Sequence, residues 1–293
     1  MRILVTGGAG FIGSNIVDSL IDDGHELAII DNLSSGEKKN INSEAKFYKE
    51  DLSNIGSIQK VFKKFCPEFV IHCAAQTDVR LSMDDPYYDA QQNIINSINL
   101  LEIMREYNVT RITYLSSGGA IYDDEIKYPE EFSRVKPKCP YGVSKFTVEK
   151  YLLIYQHSYG FNTRVLRLSN VYGPRNKKGV IRIFTDKIRA GEPLTINGGG
   201  QIRDYIHVQD VVNAVRAVMG FTGVYNVGTG KPTSLRTLRH MIYKANGVSQ
   251  NLLDQTVAYN LGEAMFSCLN ADKLKFLHWE PKIELEEGLK LVD

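Results

Sequence analysis

The sequence predicts an α/β protein: a Rossmann-type, doubly wound parallel sheet with a smaller C-terminal substrate-binding lobe. Three observations carry this prediction. Short β-branched runs alternate with helical stretches, a glycine-rich loop follows the first run, and the chain becomes loop-rich after about residue 172. RILVTG at 2–7 opens the series, an amphipathic stretch at 13–22 follows, and ELAIID at 26–31, FVIHCAA at 69–75, RITYLSS at 111–117 and RVLRLSN at 164–170 continue it. Nearly unbroken apolar runs are what strands covered on both faces require. Between them, INSINLLEIM within 93–106 spaces its apolar residues at helical intervals.

Past residue 172 the chain alternates loops, GPRNKKG at 173–179 and INGGGQIRDY at 196–205, with short elements such as 180–190. VQDVVNAVRAVM at 208–219 is helical and GVYNVGT at 223–229 strand-like. The expected division is therefore a doubly wound domain over 1–172, rejoined by the chain around 204–229, and a smaller lobe mainly within 173–293.

Length and charge narrow the function classes. A chain of 293 residues can bury a large core, and its 35 basic and 34 acidic residues leave a net charge of +1, no field for nucleic acid or an anionic membrane. The four cysteines, Cys66, Cys73, Cys139 and Cys268, show no CxxC spacing, and the six histidines form no HExxH, so reduced thiols and no metal are expected. Met1 runs directly into the first strand with no basic leader, and no apolar run reaches membrane-spanning length. The cytoplasm is the expected location.

TGGAGFIGS at 6–14 sits between the first strand and the first helix, with Gly7, Gly10 and Gly13 three residues apart. Gly7 permits a tight turn, Gly10 lets the backbone approach a pyrophosphate, and Gly13 lets helix and strand pack closely; the phosphates then meet helix N-terminal amides. Asp31 ends the second strand 18 residues after Gly13, where a carboxylate accepts hydrogen bonds from an adenosine ribose and repels a 2′-phosphate. NAD is favoured over NADP. The small residues of DNLSSG at 31–36, Ser35 and Gly36 among them, shape the same corner.

CPYGVSKFTVEKYL opens a helix with Pro140, so Tyr141 and Lys145, four apart, share a face. A phenol titrates near ~10, and a neighbouring ammonium lowers that, which would make Tyr141 a general base toward a sugar or alcohol hydroxyl.

With the glycine loop and the Tyr-xxx-Lys pair in this order, the chain resembles the extended short-chain dehydrogenase/reductase family. HCAAQTDVRLSMDDPYYDAQQNIINSINLLE at 72–102, NVYGPR at 170–175, PLTINGGGQIRDYIHVQDVV at 193–212 and YNVGTGKPTSL at 225–235 resemble its nucleotide-sugar branch, typified by the UDP-galactose 4-epimerases. The resemblance implies that Gly7, Gly10, Phe11, Ile12 and Gly13 hold the pyrophosphate and that Asp31, Asn32, Ser35 and Gly36 form the ribose corner. It places Asp51 and Leu52 at the adenine, and Ala74, Ala75, Gln76, Asn93 and Ser116 with Tyr141 and Lys145 around the nicotinamide half. Asn170 and Arg203 fall where the family holds the substrate diphosphate, and Thr195 in the segment lining the nucleobase. A homodimer and a UDP-sugar substrate are the implied partners.

In YLSSGGAIYD at 114–123 the family's usual catalytic hydroxyl, counted back from Tyr122, falls on Gly118. Ser117 stands one residue early and replaces it only if the backbone turns; otherwise a water must. The related 4,6-dehydratases carry an Asp-Glu pair just after that hydroxyl, and decarboxylases a glutamate; here the places hold Gly119 and Ala120, while Asp123 and Asp124 come too late. The implied reaction is 4-epimerisation: oxidation at C4 with Tyr141 taking the hydroxyl proton, rotation of the 4-keto sugar, and reduction from the other face. A second departure lies at Met265 and Phe266, where relatives carry a phosphate-binding arginine; Lys177 or Lys178 is a candidate replacement. Both departures also fit a non-catalytic NAD(P)-binding regulator, which has no use for Tyr141 and Lys145, and a nucleotide-sugar reductase or dehydratase relative remains the third reading.

Overall fold

The β-branched runs become strands because each finds parallel neighbours and apolar cover. The structure, a computed structural model, describes residues 1–249, 254–257 and 264–292. Its strands are β1 (Arg2–Thr6), β2 (Glu26–Ile30), β3 (Lys46–Tyr48), β4 (Phe69–His72), β5 (Arg111–Ser117), β6 (Asn162–Leu168), β7 (Asn170–Tyr172), β8 (Thr195–Asn197), β9 (Ile202–His207), β10 (Gly223–Val227), β11 (Pro232–Ser234), β12 (Gln255–Val257) and β13 (Phe266–Ser267).

Seven of them form one sheet in the order β10-β6-β5-β4-β1-β2-β3, every pairing parallel. Along β1 the side chains alternate between two layers. Ile3 and Val5 pack with Ile16 and Leu20 of the helix Phe11–Asp22 and Val211 and Val215 of the helix Val208–Val218. Leu4 faces Phe62 of Ile55–Phe65, Leu100 of Asn96–Glu106 and Leu152 of Pro140–Tyr159. The chain reverses its winding between β1 and β4, which opens a crevice at the carboxyl ends of those strands.

Two features differ from the sequence reading. The run expected as one strand over 164–170 divides: β6 ends at Leu168, the Ser169 N–H donates to the Val227 carbonyl at 2.9 Å, and Asn170 pairs instead with Tyr205 in a second sheet. The helix expected over 93–106 begins earlier, at Pro86, where Asp85 caps the Tyr88 N–H at 2.9 Å, and reaches Asn96 through one π turn, Gln91–Ile95. The second sheet joins β11, β9 and β13, with β7 on β9; β8 pairs with β12 separately. Beneath them Tyr172, Phe184, Ile188, Ile196, Tyr205 and Ile242 form an apolar cluster of their own. No helix among the described residues is long and apolar enough to cross a membrane.

Candidate active site

At the crevice, three glycines bring backbone against backbone. Gly7 turns at φ +70°, and a Cβ there would lie 2.7 Å from the Ala74 nitrogen; a Cβ on Gly13 would strike the Gly7 carbonyl. Gly10 caps the helix Phe11–Asp22 without any side-chain hydrogen bond, so the first amides of that helix, those of Phe11 and Ile12 included, are left for an anion. Gly13→Ala is expected to cut NAD affinity more than ~10-fold and cost about 1–3 kcal/mol of stability through overpacking. Titration calorimetry with NAD reads this directly, and an affinity matching the parent's would contradict it.

The corner around Asp31 is equally tight. The Asp31 carboxylate is buried and accepts the Ala9 N–H at 2.9 Å and the Leu33 N–H at 2.8 Å. A Cβ on Gly36 would stand 2.9 Å from either Asp31 oxygen, so only glycine fits, while Ser35 beside it is exposed. Asn32 Nδ2 donates to Asp51 Oδ2 at 2.5 Å, and the Leu52 carbonyl accepts Asn99 Nδ2 at 3.3 Å. Burial pushes the Asp51 carboxyl up, but its bonds from Ser53 and Asn32 outweigh this and hold it below the usual range. On the far side of the crevice Ala74, Ala75 and Gln76 are partly exposed, and Gln76 is clamped to Asn93: its N–H donates to Asn93 Oδ1 at 2.9 Å and its carbonyl accepts Asn93 Nδ2 at 3.0 Å. A cradle of close backbone, an uncapped helix terminus and a buried acid fit a dinucleotide.

β5 ends at Ser117 and the chain turns at once into the short helix Gly118–Ile121. A Cβ on Gly142 would strike the Ala120 carbonyl, so that glycine lets the helix Pro140–Tyr159 press against this turn. The Ser117 hydroxyl thereby becomes a hydrogen-bond partner of the Tyr141 phenol. Burial pushes Tyr141 well above the ordinary phenol value and Ser117 pulls it back. The depression by Lys145 expected from the sequence is not what dominates: Lys145 Nζ lies 5.9 Å from the Tyr141 ring centre and donates to the Leu115 carbonyl at 3.0 Å. Lys145 is itself buried, and desolvation lowers it to about 8 against the raising influence of Cys73, Asp89 and Glu149.

Gly118 has no space for a side chain. A Cβ would fall 2.6 Å from Leu269 Cδ1, so leucine occupies the volume a hydroxyl would need. Gly119 faces Ser267 and Asn170, with Ser267 Oγ 3.4 Å and Asn170 Oδ1 3.8 Å from where its Cβ would be. Arg203 stands next to this group: β13 and β9 pair Ser267 with Arg203. Thr195 lies exposed on β8, in the separate two-stranded sheet. Lys177 pairs with Glu37 beside the cofactor loop, whose N–H donates to the Ala9 carbonyl at 3.0 Å. Met265 is half exposed, and its N–H donates to Asp124 at 3.1 Å; residues 260–263 of the same segment lie outside those described.

Sequence reasoning missed four residues that shape the site. Ser267 is buried with an unpartnered hydroxyl, and only its neighbours at 265–266 drew attention. Asp89 is buried and accepts the Ser144 hydroxyl at 2.6 Å. Glu149, one turn beyond Lys145, accepts the Ser116 hydroxyl at 2.6 Å and forms a buried ion pair with Arg167 at 2.6 Å. Ser116, a candidate cofactor contact, thus has its hydroxyl engaged inside the protein. The i, i+4 spacing from Lys145 to Glu149 was the available signal.

Comparison with known proteins places the chain. The UDP-glucose 4-epimerase of Mycolicibacterium smegmatis is 37% identical over 99% of this chain and 96% of its own length. A Thermotoga maritima UDP-glucose 4-epimerase solved with UDP-glucose superposes with a TM-score of 0.96 at 41% identity, covering 100% of this chain and 97% of that one. A Thermus thermophilus UDP-glucose 4-epimerase solved in complex with NAD gives 0.95 at 37% identity, with coverage of 100% and 97%. The NAD dependent epimerase/dehydratase family matches residues 3–228, from the first strand through the last strand of the main sheet, and the chain belongs to that family.

Proposed function

We propose that the protein is a nucleotide-sugar 4-epimerase of the UDP-glucose/UDP-galactose type that works with bound NAD. The observation that carries this reading is the turn after β5: where the related dehydratases carry an acid and a base it holds Gly119 and Ala120. The acids that follow this turn in the chain are engaged elsewhere, Asp123 by Arg134 and Asp124 by Lys138. The full-length relatives named for this activity support it.

In this mechanism Tyr141 takes the proton from the 4-hydroxyl and later returns it, with Ser117 bridging the phenol and the sugar oxygen. Lys145, fixed by the Leu115 carbonyl, holds a positive charge near the phenol. NAD, when bound, supplies a reversible hydride acceptor at C4 and a positive ring that offsets the burial opposing a Tyr141 phenolate. Asn170 and Arg203 grip the diphosphate, whose linkage is the axle on which the 4-keto sugar turns; the planar donors of Arg203 suit two phosphate oxygens. Gly119 keeps the space beside C4 clear. Incubation of the purified protein with NAD and UDP-galactose, followed by chromatography, should show UDP-glucose forming to equilibrium, and no interconversion of any C4-epimeric pair would overturn the reading.

Ser117→Ala is expected to lower kcat roughly 10- to 100-fold, the scale of losing one hydrogen bond that matters in the transition state. Adding Gly118→Ser should not restore it, because that side chain would collide with Leu269. Parental turnover in Ser117→Ala would assign the relay to water.

We infer a homodimer from two neighbouring helical segments. Tyr87, Ile95, Val143 and Ile154 are 79%, 44%, 48% and 54% exposed, apolar side chains on the helices Pro86–Glu106 and Pro140–Tyr159 that pack side by side. Light scattering of the purified chain checks the mass.

A further inference from the structure

Asp89, in the helical segment Pro86–Ala90, is fully buried, and no step of the mechanism above uses it. Both of its oxygens accept: Oδ2 from the Ser144 hydroxyl at 2.6 Å, Oδ1 from Asn93 Nδ2 at 2.9 Å and from Gln76 Nε2 at 3.0 Å. Three donors therefore converge on one carboxyl group, which uses both of its oxygens as acceptors. Its hydrogen-bond partners among the described residues are neutral side chains, and a buried charge without a counter-ion opposes folding. Packing alone gives no reason to keep it.

The three donors come from three parts of the site. Gln76 belongs to the loop after β4, Asn93 to the π turn, and Ser144 to the first turn of the helix Pro140–Tyr159, between Tyr141 and Lys145. The carboxylate therefore joins the nicotinamide-side loop to the catalytic helix. Its charge also reaches both catalytic groups, favouring the protonated form of each. The other ionisable groups facing Lys145 are His72 and Cys73 from the end of β4, Tyr114 from β5, and Tyr141 and Glu149 from its own helix. Cys139 faces Tyr141. Glu149 is held in an ion pair by Arg167, whereas Asp89 has no ion pair among the described residues and Lys145 is the cation its charge acts on.

We propose that Asp89 is a positioning residue: through Ser144, Asn93 and Gln76 it locks the cofactor-side loop to the catalytic helix, and it places one negative charge beside both Tyr141 and Lys145. The turnover assay for this proposal rests on the 4-epimerase reading; a second assay does not.

Asp89→Asn keeps the shape and removes the charge. It is expected to lower kcat at least ~10-fold and to move both limbs of the kcat–pH profile toward lower pH, by roughly half a unit to one unit, because losing a negative charge releases protons from phenol and ammonium alike. Ser144→Ala, which deletes one hydrogen bond and keeps the charge, should lower kcat with both limbs in place. Asp89→Glu should likewise leave the limbs where they are. Independently of turnover, acylation of Lys145 by acetic anhydride, read by mass spectrometry across pH, should have its midpoint at the parental value in Ser144→Ala and below it in Asp89→Asn. A parent that turns over no UDP-sugar counts against the epimerase reading and leaves the acylation comparison standing. Unmoved limbs and midpoint in Asp89→Asn, or an equal movement in Ser144→Ala, would overturn the proposal. So would a failure of both Asp89→Asn and Asp89→Ser to fold while Asp89→Glu folds, since the carboxylate would then serve the fold alone.

Discussion

Tyr141→Phe is expected to lower kcat by about two to four orders of magnitude while the protein still binds NAD and UDP-sugar with parental affinity. In energy this is about 3–5 kcal/mol of transition-state stabilisation. The argument is local. Tyr141 carries the phenol in contact with Ser117, and the next basic group, Lys145, is tied to the Leu115 carbonyl at 3.0 Å. Removing the oxygen leaves Ser117 facing a ring edge and takes away the proton acceptor itself. The ring itself still fills its place, so the cradle around Gly7 and Asp31 is untouched and cofactor content should not change. Cofactor released on denaturation, measured by mass spectrometry, separates loss of chemistry from loss of NAD. A variant that turns over within ~10-fold of the parent would remove Tyr141 from the proton transfer.

The sheet and the cofactor loop were legible in the sequence because their signals are local. Strands buried on both faces read as apolar runs, and the glycines of TGGAGFIG are needed wherever backbone meets backbone, as the contacts of Gly7 and Gly13 show. β3 was not legible: it is three residues, KFY, at the edge of the sheet and only partly buried. The break after Leu168 was hidden for another reason. Asn170–Tyr172 is as strand-like as the residues before it, and only its pairing with β9, more than thirty residues away, takes it to another sheet.

The same distinction divides the site. Tyr141 and Lys145 share one helix face, a spacing visible in the sequence that gains its meaning from the glycine loop upstream. Asp89 and Arg167 are reached by partners distant in the chain, Ser144 and Glu149, and Ser267 by its pairing with Arg203, so beyond the i, i+4 step from Lys145 to Glu149 little in the local pattern announces them. The role of Ser117 falls between: the sequence shows the hydroxyl one position early, and the turn into Gly118–Ile121, pressed close by Gly142, decides where it points.

Glu149→Ala is expected to destabilise the fold by about 3–5 kcal/mol, because it strands a buried cation. Arg167 is held by Glu149 through Nη2 at 2.6 Å and through Nε to both carboxylate oxygens at 3.1 Å, with both side chains almost wholly inside. Nη1 of the same arginine donates to the Tyr122 hydroxyl at 2.7 Å, which donates to Asn226 Oδ1 at 2.8 Å, so β5, β6, β10 and the catalytic helix meet in one network. Without the carboxylate, Arg167 keeps Tyr122 and the Glu131 carbonyl at 2.9 Å but has no negative partner, and Ser116 loses its acceptor. For a chain of 293 residues the loss corresponds to a fall in Tm of roughly 5–8 °C, measurable by circular dichroism. Replacing both partners by methionine should recover part of it, since the cost lies in the unpaired charge more than in the missing bond. Because Glu149 follows Lys145 by one turn and fixes Ser116 beside Ser117, kcat should fall in the single variant and recover less than stability in the double one. A single variant as stable as the parent would show that Arg167 finds water or another acceptor, and the network would then be dispensable to the fold.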